Sequence, residues 1–103
     1  MPSIRNNKNK TIGDDFLSLN FYRDEVEEFM VKAGFSPEVE EDIFNMLDEE
    51  LALLKSSCGN EDKMQHQVYD MLFLLFEIAA KHNMDLDSEW IKGSEKKKKY
   101  LPK

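Results

Sequence analysis

The sequence predicts an all-α protein: an antiparallel helical bundle whose core is completed by oligomerisation. Apolar residues recur at the three- and four-residue spacing of helices, and the alternating runs typical of strands are missing. Only four glycines and three prolines interrupt the 103 residues. A chain of this length allows one domain, and chains this small often complete their core by association.

Charge is distributed unevenly along the chain, whose net charge is −7. Residues 1–12 carry three basic side chains and no acid, and we expect a flexible polar tail there, followed by a single helical domain at 13–103 with a basic C-terminal end. Fifteen acidic against three basic side chains occupy 13–62, and eight lysines lie in 63–103. This distribution argues against nucleic-acid binding. It suits a protein that holds a cation on its acidic part and an anion with its lysines, or simply a solvated acidic surface with a frayed basic end.

The sequence contains few features that indicate a cellular compartment. The longest apolar run, 71–76, is far shorter than the roughly 18 residues that a membrane span needs. The first ten residues lack the apolar stretch of a signal peptide, and the single cysteine, Cys58, cannot form an internal disulfide. We therefore expect a cytoplasmic protein with no membrane partner.

Two helices are predicted in the first half of the chain. The first is capped by Asp14 or Asp15, ends at Gly34, and has five expected core positions: Phe16, Leu19, Val26, Phe29 and Met30. The second starts at Ser36-Pro37-Glu38, an N-cap, a first-turn proline and an acid at the positive end of the dipole. Its expected core stripe is Val39, Ile43, Met46 or Leu47, Leu51 and Leu54, and residues 56–60 form a loop.

The third helix, predicted at about 61–82, is the reason to expect an oligomer. Its segment 71–76 is apolar around the whole circumference, so one neighbouring helix cannot cover it. With so few helices in the chain, a homodimer or homotetramer is the expected solution. Asn83 suits the left-handed cap of this helix, and Asp85 and Asp87 start a short fourth helix that contains Trp90 and ends in the lysine run.

Polar residues interrupt the apolar third helix on one side. Asp70 and Glu77 are seven residues apart, and His66 and Gln67 lie one turn before Asp70. The second helix carries the acidic triplet Asp48-Glu49-Glu50. Facing carboxylates on two antiparallel helices could bind Mg²⁺, which prefers oxygen ligands and keeps several waters.

Simpler interpretations exist for the same residues. Asp70 could pair with Lys63 or with an arginine across the bundle, and the acidic triplet could be the solvated face of the second helix. His66 could be a hydrogen-bonded interface residue.

The second half of the chain also resembles a known family. Residues 68–80, VYDMLFLLFEIAA, followed by KHNMDLD, resemble the third helix of the MazG-like nucleotide pyrophosphohydrolases, roughly E-L-A-D-V-L-x-x-L-L-x-L-A and then G-I-D-L. The ending, 92–100, is similar to that family's K-x-x-x-N-x-x-R-Y spacing, with Lys92, Lys99 and Tyr100 in place. The resemblance covers about residues 40–101.

The resemblance implies a Mg²⁺-dependent hydrolase that converts a (d)NTP into the (d)NMP and pyrophosphate. The family holds Mg²⁺ with E-E-x-x-E and E-x-x-D elements on two helices, and the metal activates water and neutralises phosphate. Carried over by position, the implied catalytic residues are Glu49, Glu50 and Asp70. The implied metal ligands are Asp48, Glu49, Asp70, Gln67 and Glu77, and the implied substrate-binding residues are Lys92, Lys96, Lys99 and Tyr100.

This chain departs from the family pattern at its ligands. Gln67 replaces a glutamate, Ala52 (or Leu53 in a shifted register) replaces the third acid, and Lys96 replaces the asparagine. Each lost carboxylate removes a negative ligand, so Mg²⁺ binding should weaken. The alternative is therefore a MazG-like bundle without catalysis that acts as a nucleotide-binding or protein-interaction module. A third interpretation is convergence among apolar bundles, in which Asp70→Asn would be neutral or stabilising.

Overall fold

A computed structural model of the protein describes residues 18–35 and 39–102. Four helices make up this part, and they confirm the predicted all-α class: α1 (Leu19–Lys32), α2 (Glu40–Ser56), α3 (Glu61–Lys81) and α4 (Leu86–Lys97), followed by a 3-10 turn, Lys98–Tyr100. No strand occurs within these two ranges, and no helix in them is both long and apolar enough to cross a membrane. The predicted tail at 1–12 and the predicted helix start at 36–38 lie outside the described residues.

Helix α3 lies between α1 and α2 and is antiparallel to both. Four residues separate α2 from α3, and the far ends of these helices meet where His82 Nε2 lies 2.5 Å from Glu40 Oε1. On the other side of α3, the ring of Tyr22 contacts that of Phe76, and Phe29 contacts Phe73, so α1 runs in the opposite direction to α3. The antiparallel arrangement follows from these contacts.

The helix ends mostly match the local signals of the sequence. Gly34 follows α1 with φ +78°, and Asn83 follows α3 with φ +53°, which confirms both predicted left-handed caps. Asn60 caps α3 by accepting the backbone N–H of Lys63. Helix α1 begins at Leu19, and Ser18 caps it by accepting the N–H of Phe21. The predicted cap, Asp14 or Asp15, and the predicted core residue Phe16 lie outside the described residues.

The first turns of α1 and α4 cap each other. The carboxylate of Asp87 accepts the backbone N–H of Leu19 at 2.8 Å and that of Asn20 at 3.4 Å. In return, the side chain of Asn20 accepts the backbone N–H of Leu86 at 2.8 Å and donates to Asp85 at 3.0 Å. The hydrogen bond from Asn20 lowers the pKa of the Asp85 carboxyl. Hydrogen bonds between residues more than sixty positions apart therefore attach α4 to α1.

The described core is small. Ile43 is fully buried, and Val26, Leu74 and Ala79 are the other buried apolar residues in the described ranges. Three predicted core positions were wrong, because none of the four described helices covers them: the exposed fraction is 51% at Phe29, 63% at Val39 and 39% at Leu51.

Candidate functional site

We call Glu50 on α2 and Gln67 on α3 the polar pair, because each has a buried side-chain oxygen without a partner. Glu50 lies seven residues after the buried Ile43, and Gln67 lies seven residues before the buried Leu74, so both project toward the packed side of their helix. The Oε1 atom of each side chain is buried and has no hydrogen-bond partner. Buried acceptors without a partner are rare, and each costs about 1–3 kcal/mol.

The other two predicted ligands on α3, Asp70 and Glu77, are not part of the polar pair. Asp70 is partly buried, and its Oδ2 lies 3.1 Å from Nε2 of His66, one turn earlier on the same helix. The partner of Asp70 is therefore His66, rather than Lys63 or an arginine across the bundle. Glu77 is buried, at 8% exposure, one heptad after Asp70.

Asp48 and Glu49 are exposed, in contrast to Glu50. They lie five and six residues after Ile43 and so project away from the packed side of α2. Within 18–35 and 39–102, no three acidic, histidine or cysteine side chains come together as a group that could hold a metal ion. Of the predicted ligands within these ranges, the polar pair alone offers buried oxygen atoms without partners.

A pocket of about 420 Å³ opens beside Gln67, between the end of α2 and the start of α3. Lys63 and His66 line it together with Ser57 and Asp62. Two side chains that can carry positive charge therefore lie in the same pocket as Gln67. This pocket was not predicted, although Lys63 lies one turn before Gln67 and His66 directly precedes it.

The four predicted phosphate-binding residues lie elsewhere in the chain. Lys92, Lys96, Lys99 and Tyr100 are exposed on α4 and the 3-10 turn, and α4 packs against α1. Helix α4 begins just after the end of α3, which is about 20 Å along the helix axis from Gln67. The structure therefore attaches the lysines to α1, whereas the predicted acidic ligands lie on α2 and α3.

The sequence analysis missed an apolar groove between α1 and α3. The groove has a volume of about 630 Å³. It is lined by apolar and aromatic side chains of both helices and by one acid: Leu19, Tyr22, Glu25, Val26, Phe29, Tyr69, Leu72, Phe73 and Phe76. Tyr69 is 59% exposed and Leu72 is 46% exposed. Single exposed apolar residues are ordinary, but a contiguous apolar groove marks a binding surface.

The exposed apolar surface continues from the groove across α3. Val68 and Leu75 are about half exposed, and they lie four residues before and three residues after Leu72. The signal for this surface was present in the run 71–76, since α1 and α2 together leave part of its circumference uncovered. Only the packing showed which part that is.

Comparison with known proteins adds no relative: no protein-family model, no curated protein and no solved structure matches this chain.

Proposed function

We propose that this protein is a helical self-association module, in which the apolar groove between α1 and α3 is covered by a second copy of the chain. The observation that carries the proposal is the groove itself, with Phe29, Tyr69 and Leu72 about half exposed along it. The module corresponds to the protein-interaction alternative that the sequence analysis left open.

The physical argument is the cost of leaving these side chains in water. Full burial of one Leu or Phe side chain is worth about 1.5–3 kcal/mol, and three half-exposed large side chains would each contribute part of that on association. Among the described residues, Glu25 is the single charged one that lines the groove, so little charge would need to be desolvated. A second copy can cover the groove in a two-fold dimer, in which both copies contribute the same set of residues to the interface.

The test is the molar mass in solution of the wild type and of Phe29→Glu, measured by sedimentation equilibrium. We expect a dimer or tetramer for the wild type and a monomer for the variant, because a charge in the groove cannot be buried without a partner. Val31→Glu is the matched control, since Val31 lies on the same helix, is 73% exposed and does not line the groove. A monomeric wild type at all concentrations would refute the proposal.

The second candidate is the MazG-like function: Mg²⁺-dependent hydrolysis of a nucleoside triphosphate to the monophosphate and pyrophosphate. The specific observation in its favour is the polar pair: both side chains have an unpartnered buried oxygen, and Gln67 lines the pocket that contains Lys63 and His66. Glu50 and Gln67 would hold the metal, and Lys63 would attract the phosphates from the pocket. The metal, when bound, would supply the positive charge that polarises the phosphate.

Glu50→Leu tests this second candidate. The substitution removes one unpartnered buried acceptor, so without Mg²⁺ we expect the free energy of unfolding to rise by about 1 kcal/mol. If the pair binds metal, calorimetric titration with Mg²⁺ and a non-hydrolysable dNTP should give heat for the wild type and none for the variant. Glu27→Leu is the control, because Glu27 is exposed on α1 and is not a predicted ligand, so its loss should change neither quantity. Equal heats in Glu50→Leu and wild type would exclude Glu50 as a ligand.

A further inference from the structure

The end of the chain presents a second apolar surface, and this one is basic. We call residues 90–101 the lysine segment. Four of its side chains are large, apolar or aromatic and exposed: Trp90 at 67%, Ile91 at 64%, Tyr100 at 77% and Leu101 at 64%. The same segment carries five lysines and one acid, Glu95. An exposed tryptophan among lysines is unfavourable for an isolated chain and favourable at an interface with an acidic partner.

The rim of the apolar groove has the opposite charge. Helix α1 carries four acids against two basic residues, and Glu25 is in the groove lining. Arg23, one of the two basic residues, is already held by Asp24 at 2.8 Å. If two copies paired groove to groove, the acids of the two α1 helices would approach each other, and like charges at an interface oppose association.

We propose that the lysine segment of a second copy docks in the apolar groove, with Trp90 as its main apolar contact. The proposal rests on the self-association proposed above and names the surfaces that meet. Five lysines would then lie over the acids of α1, and apolar side chains would fill the groove.

The position of α4 within one chain allows the docking to be reciprocal, so that the lysine segment of each copy occupies the groove of the other. Leu19 lines both the apolar groove and a smaller pocket of about 260 Å³ that it shares with Trp90. The lysine segment therefore begins beside the groove of its own chain, and Asp87 and Asn20 hold α4 there. A two-fold axis near Leu19 would place each lysine segment over the groove of the other copy in a single closed interface.

Trp90 reports on this docking directly, because it is the only tryptophan in the chain. We expect its fluorescence emission to shift to the red on dilution, in step with the fall in molar mass by sedimentation, as the indole passes from the groove into water. A dimer whose tryptophan emission is the same before and after dissociation would overturn the docking and leave self-association intact. A wild type that is monomeric throughout would overturn both.

Charge exchange tests the docking independently. Glu25→Lys and Lys97→Glu should each raise the dissociation constant of their own homodimer about tenfold, because each places like charges at both contacts. Mixing the two variants should restore wild-type affinity, since both contacts of the mixed dimer then pair opposite charges. Lys55→Glu, an exposed change on α2 with the same effect on net charge as Lys97→Glu, is the control.

The same charges determine the response to salt. If the lysine segment meets the acidic rim, 1 M NaCl should weaken the wild-type dimer, because screening removes attraction. Groove-to-groove pairing would instead strengthen with salt, and Lys97→Glu would then leave the dissociation constant unchanged. Either of these two results would overturn the docking.

Discussion

At the scale of single residues, the side chains with the clearest roles act on helices other than their own. Asp87 belongs to the first turn of α4, yet its carboxylate accepts two backbone N–H groups at the start of α1. Asn20 does the converse for Leu86. The first N–H groups of a helix have no partner within the helix, so a side chain from elsewhere can cap them as well as a local one.

Asp87→Ala should lower the free energy of unfolding by about 1 kcal/mol, because two N–H groups of α1 lose their acceptor. Chemical denaturation followed by circular dichroism would measure the change. Glu89→Ala is the matched control: it also removes an acid from the first turn of α4, but Glu89 is exposed and makes no contact with α1 backbone N–H groups. Equal losses in the two variants would mean that the shared dipole interaction, and not capping, is responsible.

At the scale of elements, backbone conformation decides how helices end. Gly34 has φ +78° after α1, in the left-handed region that favours glycine. Apart from its chain neighbours, no described residue has an atom within 4 Å of where its Cβ would be. Gly93 lies inside α4 with ordinary helical backbone and equally open surroundings. The two glycines differ in backbone conformation and not in available space.

The same substitution should therefore have opposite effects at the two sites. Gly34→Ala should destabilise the protein by about 1 kcal/mol, because alanine is strained at positive φ. Gly93→Ala should stabilise it by about 0.5–1 kcal/mol, because glycine is a poor residue inside a helix. Urea denaturation of both variants at one protein concentration would measure the two changes in the free energy of unfolding. A lower stability for Gly93→Ala would show that the small size of Gly93 is needed for packing.

At the scale of the whole molecule, α1 and α2 both pack against α3 and leave part of its apolar surface uncovered. Helix α3 contacts α1 on one side and α2 on the other, while Leu72 and Leu75 remain about half exposed. Ile43 is the only fully buried large side chain in the part of the chain that the structure describes. Such a core provides little stability by itself, so the self-association that we propose would be coupled to folding.

This coupling predicts a melting temperature that depends on protein concentration. A hundredfold increase in concentration should raise the midpoint for the wild type by about 5 °C or more, since mass action favours the associated folded state. Phe29→Glu should melt at one temperature throughout the range, as expected for a monomer. Calorimetric scans at several concentrations would measure both melting temperatures. A wild-type melting temperature that does not change with concentration would show that folding is not coupled to association.

Some features of the candidate sites could be predicted from spacing. The seven-residue interval between Asp70 and Glu77 correctly indicated one side of α3, and His66 was correctly placed one turn from Asp70. In the triplet at 48–50, Asp48 and Glu49 are exposed and Glu50 is half-buried, and the sequence did not predict this difference. That division depends on which side of α2 meets α3, and three consecutive residues cover most of a helical circumference.

The sequence by itself determined the all-α class, the extent of α3, the start of α4 and the caps at Gly34 and Asn83, because these depend on local periodicity and backbone preference. Tertiary structure alone decided which apolar side chains are covered, that Asp87 caps α1, and that the lysines attach to α1 and not to the acidic face of α2. Local patterns state how a helix can form and which of its sides are apolar. Which sides meet is set by competition among all the helices for the same apolar surface, and in this chain the available helices leave part of it exposed.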